Sequence, residues 1–407
     1  MRDVAIVGAG PAGAVLAARL ARAGLDVLLI ERSPTWRWHA GGVFSSPAAV
    51  DALRRSGLDT GTIQRVTRPI PAMRLETPGG AVIRLTYGAD SGGAPAVGFD
   101  RSALDPALVS MARGAGATVL TGVTVQGVDL GSGRCRPRAT LHLLGVRSPD
   151  TIVEARIVVG ADGAGSRVAR AAKVARIVRL PPRIGITYHV PDVRGDAAAD
   201  ARMQILDDGY VGIAPVPGGR VNVGIVLGRS WAPALAAKGA AAVASRVVTG
   251  FRPTDQDDVG WATAPTCDHL AGAAPLGVRV TRRAGAGWFL VGDAAGFLDP
   301  FTGEGLHRAL VSTGFAAPAI IAAVRRPESA ARAAAAYDRA MRRRFAAKDA
   351  VSWLVQVFLA RPMLFEYAAR RLATRPDVRA TMGLVMGDLI PATRGLDPRF
   401  LAALLAP

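Results

Sequence analysis

Apolar residues run along this chain in two rhythms, and the change between them divides it. Near the start, Val4-Ala5-Ile6-Val7 is an unbroken apolar run that meets Gly8, Gly10 and Gly13, and residues 14–22 then carry apolar positions at helical spacing. A second run, Val27-Leu28-Leu29-Ile30, ends in Glu31. Unbroken runs suit strands buried on both faces, so the pattern predicts a strand–helix–strand unit of an α/β sheet. A helix is predicted over 47–55, closed by Gly57, and two strands over 73–76 and 81–87 around Pro78-Gly79-Gly80. Asp100 opens a helix to about residue 113, a strand follows at 117–120, and further strand runs reach Val159 with a turn at 131–133. From 183 to 227 the rhythm changes to short strands between turns (185–190, 203–206, 210–215 and 221–227), which read as a sheet of their own, and 231–249 is helical. An apolar run then delivers Gly292 and leads through a glycine-rich stretch into a helix ending at Val324, with more helices beyond 325.

Half of the 407 residues are apolar, enough for a large core and two domains. Cys135 and Cys267 lie far apart without metal-ligand spacing, and with five scattered histidines no metal site is expected. A reducing, cytoplasmic setting fits that cysteine usage. Asp3, Pro11 and the embedded Arg19 and Arg22 set the N-terminus apart from a signal peptide, and no unbroken apolar run reaches the length of a membrane span. The formal charge of +18 is almost all arginine, for Lys173, Lys238 and Lys348 are the only lysines. With alanine enriched as well, base composition accounts for this more simply than attraction to acidic partners. No basic stretch carries interleaved stacking aromatics, so nucleic acid is not an expected partner.

Three segments carry candidate chemistry. In the first, Gly8 makes a tight strand-to-helix turn, Gly10 lets backbone approach a pyrophosphate, and Gly13 lets the helix sit close on the strand. The phosphates would lie on the helix N-terminus beside Ala12, with Glu31 placed for a ribose hydroxyl and Arg32, Arg37 and His39 in the loop over the mouth of the site. The second, Ile157-Val158-Val159-Gly160-Ala161-Asp162-Gly163, repeats the logic of a buried strand entering a glycine turn with one acid. In the third, a strand delivers Gly292-Asp293, suited to a polyol hydroxyl, and Pro300 through Gly303 and Gly305 start a helix whose free N–H groups could face a flat anionic ring edge. The glycine fingerprint alone does not separate FAD from NAD.

Together these segments resemble the FAD-binding flavoproteins of the p-hydroxybenzoate hydroxylase fold, over roughly residues 1–325, and within them the geranylgeranyl reductase family and the neighbouring flavin-dependent halogenases. Asp162-Gly163 is similar to the family's DG motif, Gly292-Asp293 to its GD motif, and Pro300-Phe301-Thr302-Gly303-Glu304-Gly305 to the reductases' P-[FL]-T-G-E-G; Arg101 resembles the arginine near the FAD phosphates. The resemblance implies an α/β fold: a Rossmann-type FAD-binding domain in three parts (1–70, 99–180 and 271–325), an inserted β-sheet substrate domain (71–98 and 181–270) and a C-terminal helical layer (326–407). It implies FAD as cofactor, with Glu31 on the adenosine ribose and Asp293 on the ribityl chain. NAD(P)H would serve as a transient donor, since the single dinucleotide fingerprint is taken.

The sequence departs from the reductases at two places. Ala40 stands where their loop carries a cysteine, and Gly212 and Ala214 replace Trp and Phe of a Y-x-W-x-F-P motif that survives as Tyr210 and Pro215. The smaller residues imply a pocket for a bulkier or ringed substrate. The halogenases' W-x-W-x-I-P is absent. The expected function is reduction of a C=C bond in a hydrophobic small molecule, with His39, Tyr210 and Glu304 as proton donors or substrate-orienting groups. Oxygenation with NAD(P)H and O2 is the alternative, and a non-catalytic lipid or prenyl carrier, like the Rab escort proteins, is the alternative of another class. Apolar residues after 325, among them Trp353, Phe358, Met363 and Phe365, read as a layer packed on the core, with a peripheral membrane contact as the sharper reading.

Overall fold

A computed structural model describes the chain except for residues 89–92, 132–137, 146–150, 178–182, 193, 251–263, 275 and 406–407. Cys135 and most of the turn expected at 131–133 therefore lie outside the described residues.

The apolar runs build one sheet. Thr118–Thr121, Val27–Glu31, Arg2–Val7, Ile152–Gly160 and Trp288–Leu290 lie side by side in that order, all parallel. The strand period of two sorts their side chains into two cores. Val4, Ile6, Leu29, Ile157 and Val159 pack under the helices Pro11–Arg22, Arg101–Gly114 and Gly305–Arg325, whereas Ala5, Val7, Leu28, Ile30 and Val158 meet the hairpin Thr124–Leu130/Ala139–Leu144. Register sets the ends of the strands. Val7 pairs with Gly160 and with Ile30, and Gly160 pairs with Leu290, so the three segments that follow, at Gly8, Asp162 and Gly292, leave the sheet abreast. Ligands of open α/β sheets bind at such carboxyl ends.

A second sheet has seven strands, in the order Ala271–Ala273, Ile184–Pro191, Arg220–Leu227, Gly209–Val216, Ala201–Leu206, Met73–Glu76 and Val82–Leu85. One face (Ile186, Tyr188, Val211, Ile213, Val223 and Ile225) is covered by the helix Ala232–Thr249, which breaks at Gly239, where φ is 77°. The other face lies beneath the second half of the helix Ala330–Leu359, whose first half packs in the first core, and beneath Pro362–Thr374, Pro376–Met386 and Pro398–Leu405. Phe358, Leu359, Leu372, Val385 and Leu404 bury against Met203, Ile205 and Tyr210, which is the packed layer expected after residue 325; Val357, Met363 and Tyr367 remain exposed. Three short strands, Phe44–Ser45, Ala96–Phe99 and Thr67–Ile70, form a third sheet without a sequence signal, because two-to-four-residue strands carry too little periodicity to read. Among the described residues one helix, Gly305–Arg325, is long and apolar enough to cross a membrane, and Ala309, Leu310, Ala316, Ala317 and Ile320 are buried in the first core.

Candidate functional site

The three segments touch one another through backbone and methyl groups. Gly8 has φ 98°, and a Cβ there would lie 2.5 Å from the Ala161 carbonyl oxygen and 2.9 Å from the Asp162 Cα. A Cβ on Gly13 would overlap the Gly8 carbonyl oxygen at 1.9 Å, so helix and strand meet with no room for a side chain. One on Gly292 would touch the Ala12 methyl at 3.0 Å. Gly10 differs, for a Cβ there meets nothing within 4 Å, and the helix Pro11–Arg22 starts with no side-chain cap. Bare backbone beside an uncapped helix start is what an anionic pyrophosphate needs.

The acids at this edge are arranged differently from one another. Glu31 accepts from the N–H of Ala9 and of Ser33, both at 3.0 Å, which ties the second strand to the glycine turn and leaves each oxygen a lone pair. Asp162 Oδ2 accepts from the Arg167 N–H at 2.7 Å, but Oδ1 is buried without a partner, and burial pushes the carboxyl above its ordinary range. The Asp293 carboxyl has no hydrogen bond among the described residues; burial pushes it up while Arg101 and Arg308 pull it down. Arg101 forks onto Asp105 with two bonds of 2.8 Å and donates to the Gly42 carbonyl at 3.1 Å. It thereby pins the 33–43 loop, whose Trp36 also reaches Asp105. Arg32, Arg37 and His39 are exposed in that loop, with His39 Nδ1 bonded to the Arg37 carbonyl at 3.1 Å.

The loop at Pro300 is braced from two sides. Asp299 accepts from the Tyr210 hydroxyl at 2.6 Å, from Arg183 at 3.1 Å and from the Phe301 N–H at 3.0 Å, and Phe301 stands edge-on to the Tyr210 ring. Burial, then the Asp299 charge, holds the Tyr210 hydroxyl well above its ordinary range, so it stays a neutral donor. Gly303 sits at φ 66° against the Phe44 ring, and its carbonyl accepts from Ser45. On the far side Glu304 is buried in a charged cluster. Lys348 Nζ lies 3.7 Å from Glu304 and 3.0 Å from Asp388, and His307 bonds Asp388 at 3.1 Å. Burial pushes Glu304 up, whereas the nearer Asp388, also penalised by burial, is held at about 2 by His307 and Lys348. Tyr210 and Glu304 thus flank the loop, while His39 is bonded within its own loop.

A polar group that the sequence did not reveal lies on the roofed face of the second sheet. His189 Nδ1 bonds Asp268 at 2.6 Å, its ring packs on Trp38 at 4.4 Å, and Asn222 bonds Thr187 at 2.8 Å. Burial holds the imidazole below its ordinary range against the pull of Asp268. Asp268 is 79 residues from His189, so no local spacing marks the pair.

This edge fits FAD: an open pyrophosphate cradle at Gly10, an unpartnered acid at Asp293 and a buried orphan oxygen on Asp162. The FAD binding domain family matches residues 1–353. The chain belongs to that family. Among its relatives, digeranylgeranylglycerophospholipid reductase 2 of Methanopyrus kandleri is 30% identical over 325 residues, covering 76% of this chain and 74% of that protein. Menaquinone reductase of Mycolicibacterium smegmatis is 28% identical over 335 residues, covering 77% and 75%. Among solved structures, the flavin-dependent halogenase CmlS superposes with a TM-score of 0.73 at 25% identity, over 94% of this chain and 67% of that one. The protein is an FAD-dependent oxidoreductase on a mixed α/β flavoprotein fold, similar to the geranylgeranyl-type and menaquinone reductases.

An Asp293→Ala variant of this flavoprotein is expected to keep its fold and to bind FAD about 10- to 100-fold more weakly, the value of one hydrogen bond to a charged group. Apoprotein titration with FAD, read by flavin fluorescence, checks this; unchanged affinity would remove Asp293 from the cofactor site.

Proposed function

We propose that this flavoprotein saturates a carbon–carbon double bond in an isoprenoid, with an isoprenoid-bearing quinone as the favoured substrate and NAD(P)H as a transient donor. One observation carries the reading, the apolar layer between the second sheet and the helices over it, where Met203, Ile205, Tyr210 and Phe358 cluster with Phe301 packed beside them. The reductase relatives, one named for menaquinone and others for digeranylgeranyl lipids, support it.

On this reading Gly10 and the helix start bind the pyrophosphate, Glu31 the adenosine ribose and Asp293 a ribityl hydroxyl, with Ala12 and Gly292 keeping the turns in contact. Bound FAD supplies hydride transfer, and the chain supplies position, charge and exclusion of water. Tyr210, through Asp299, and Glu304, through Lys348, hold the Pro300–Gly305 loop in place. His39, exposed in the mouth loop, is the group able to exchange a proton with solvent.

The sheet beneath that layer favours a flat ring. Gly212 and Gly224 pair directly, and a Cβ on either would find no atom nearer than 3.8 Å, so two adjacent strands offer a bare patch. Thr187 extends that row, and Asn222 and His189 stand one row further along, a polar end suited to a carbonyl or hydroxyl oxygen. The halogenase likeness favours oxygen chemistry as a second reading.

Anaerobic reduction by NADPH or NADH, followed by a menaquinone or a geranylgeranyl lipid, separates the two. The proposal expects flavin re-oxidation with a product richer by two hydrogens on one former double bond. Re-oxidation by O2 alone, with oxygen gained by the product, would replace it with a monooxygenase.

A further inference from the structure

At the far end of the glycine-loop helix, three arginines share one concavity and no acid. Arg19, Arg22 and Arg55 line a hollow of about 360 Å³ whose other wall is Ala317, Pro318 and Ile321. The helix Pro11–Arg22 has 12 residues, so at about 1.5 Å per residue this hollow is roughly 18 Å from the pyrophosphate cradle and is no part of it.

The three guanidinium groups are poorly satisfied. Arg19 Nη2 reaches the Arg55 carbonyl and Ser56 Oγ only at 3.4 Å, and Arg22 Nη1 reaches the Ser56 carbonyl at 3.4 Å. Arg19 Nε is buried with no partner at all. None of the three forms an ion pair among the described residues, although the adjacent Arg54 pairs with Asp51 at 2.8 Å. Helix-end carbonyls take one bond from Arg19 and one from Arg22, and leave most N–H groups of the three like charges without a partner. Burial, then the charges of Arg22 and Arg55, weakens the hold of Arg19 on its proton, which is the cost an anion would relieve.

We propose that this hollow binds a phosphate group with an apolar attachment, the phosphate on the arginine fork and the attachment along Ala317, Pro318 and Ile321. A membrane headgroup and a soluble phosphate share this chemistry. The inference is independent of the reaction proposed above, and its test uses no turnover.

The test compares the FAD-loaded full chain, an Arg22→Glu/Arg55→Glu variant, and a charge-matched Arg332→Glu/Arg343→Glu control at exposed positions of the long C-terminal helix. Thermal melting is followed in inorganic phosphate against chloride of equal ionic strength. Sedimentation is followed with phosphatidylcholine vesicles, with and without phosphatidylglycerol. Phosphate is expected to raise the melting temperature of wild type and control but not of the site variant. If the source is a headgroup, binding to anionic vesicles falls at least about 25-fold in the site variant, at about fivefold per basic residue lost, and clearly further than in the control. A phosphate response without such vesicle loss assigns the site to a soluble phosphate. If the site variant matches the control in both assays, the proposal is overturned.

Discussion

A Gly13→Ala variant is expected to purify without FAD and to lose about 3 kcal/mol or more of stability, at the upper end of what overpacking costs. Its Cβ would sit 1.9 Å from the Gly8 carbonyl oxygen, a backbone atom with no rotamer to escape into. Relief requires the helix to move off the strand, and that movement separates Ala12 from Gly292 and pulls the first turn away from the third. Gly10→Ala is the paired control. With nothing within 4 Å of its new methyl, it should melt like wild type and still bind FAD poorly, because the methyl enters the space a pyrophosphate needs. The ratio of flavin to protein absorbance and the melting temperature of each apoprotein check both outcomes. A Gly13→Ala protein with normal flavin content would refute the close approach on which the site is built.

Lys348→Met should be at least as damaging to stability, by about 3–5 kcal/mol, the usual result of stripping one partner from a buried ion pair. Lys348 is buried, donates to the Val385 carbonyl at 2.8 Å and, among the described residues, is the one cation in ion-pair range of both Glu304 and Asp388. Asp388 also holds a left-handed backbone, φ 58°, at the turn where the third C-terminal helix ends, so losing its partner frees both a charge and a strained residue. The double variant Lys348→Met/Asp388→Asn should recover part of the loss, because it removes the uncompensated anion as well. Denaturation midpoints at neutral pH test this, and equal midpoints for the single and double variants would deny that charge is the cause.

The same cluster fixes a pH dependence. Burial opposes ionisation of Asp388, but His307 and Lys348 outweigh it and hold the carboxyl at about 2, below an unfolded value of about 3.9. A depressed acid stabilises the fold fully above its unfolded pKa, and that contribution disappears as pH falls through about 2. Glu304, raised by burial, has the opposite sign, since protonation relieves its desolvation. An Asp388→Asn protein should therefore lose stability less steeply than wild type between about pH 4 and 2.

The cofactor edge was legible because its determinants are local. A glycine turn between an apolar run and a helix is specified by neighbours within a dozen residues, and the acids at 31, 162 and 293 follow their strands at once. The unbroken runs also implied strands buried on both faces, which is how residues 4–7 and 157–160 lie. The helical layer after residue 325 was legible from the apolar positions on its helices.

Other features exist only where distant segments meet. Glu304 reads as a loop residue, and its tie to Lys348, 44 positions on, and through it to Asp388 appears only when the C-terminal helices close over the sheet. His189 and Asp268, and the unpaired arginines at 19, 22 and 55, are ordinary residues in the sequence and acquire meaning from what lies opposite them. The sequence by itself determined the glycine turns, the longer strands and the acids that follow them, because backbone conformation and burial period are short-range properties. The tertiary structure alone decided which charges pair, which stay bare and what covers the second sheet, because the energy of a buried charge depends on partners that only chain closure brings near.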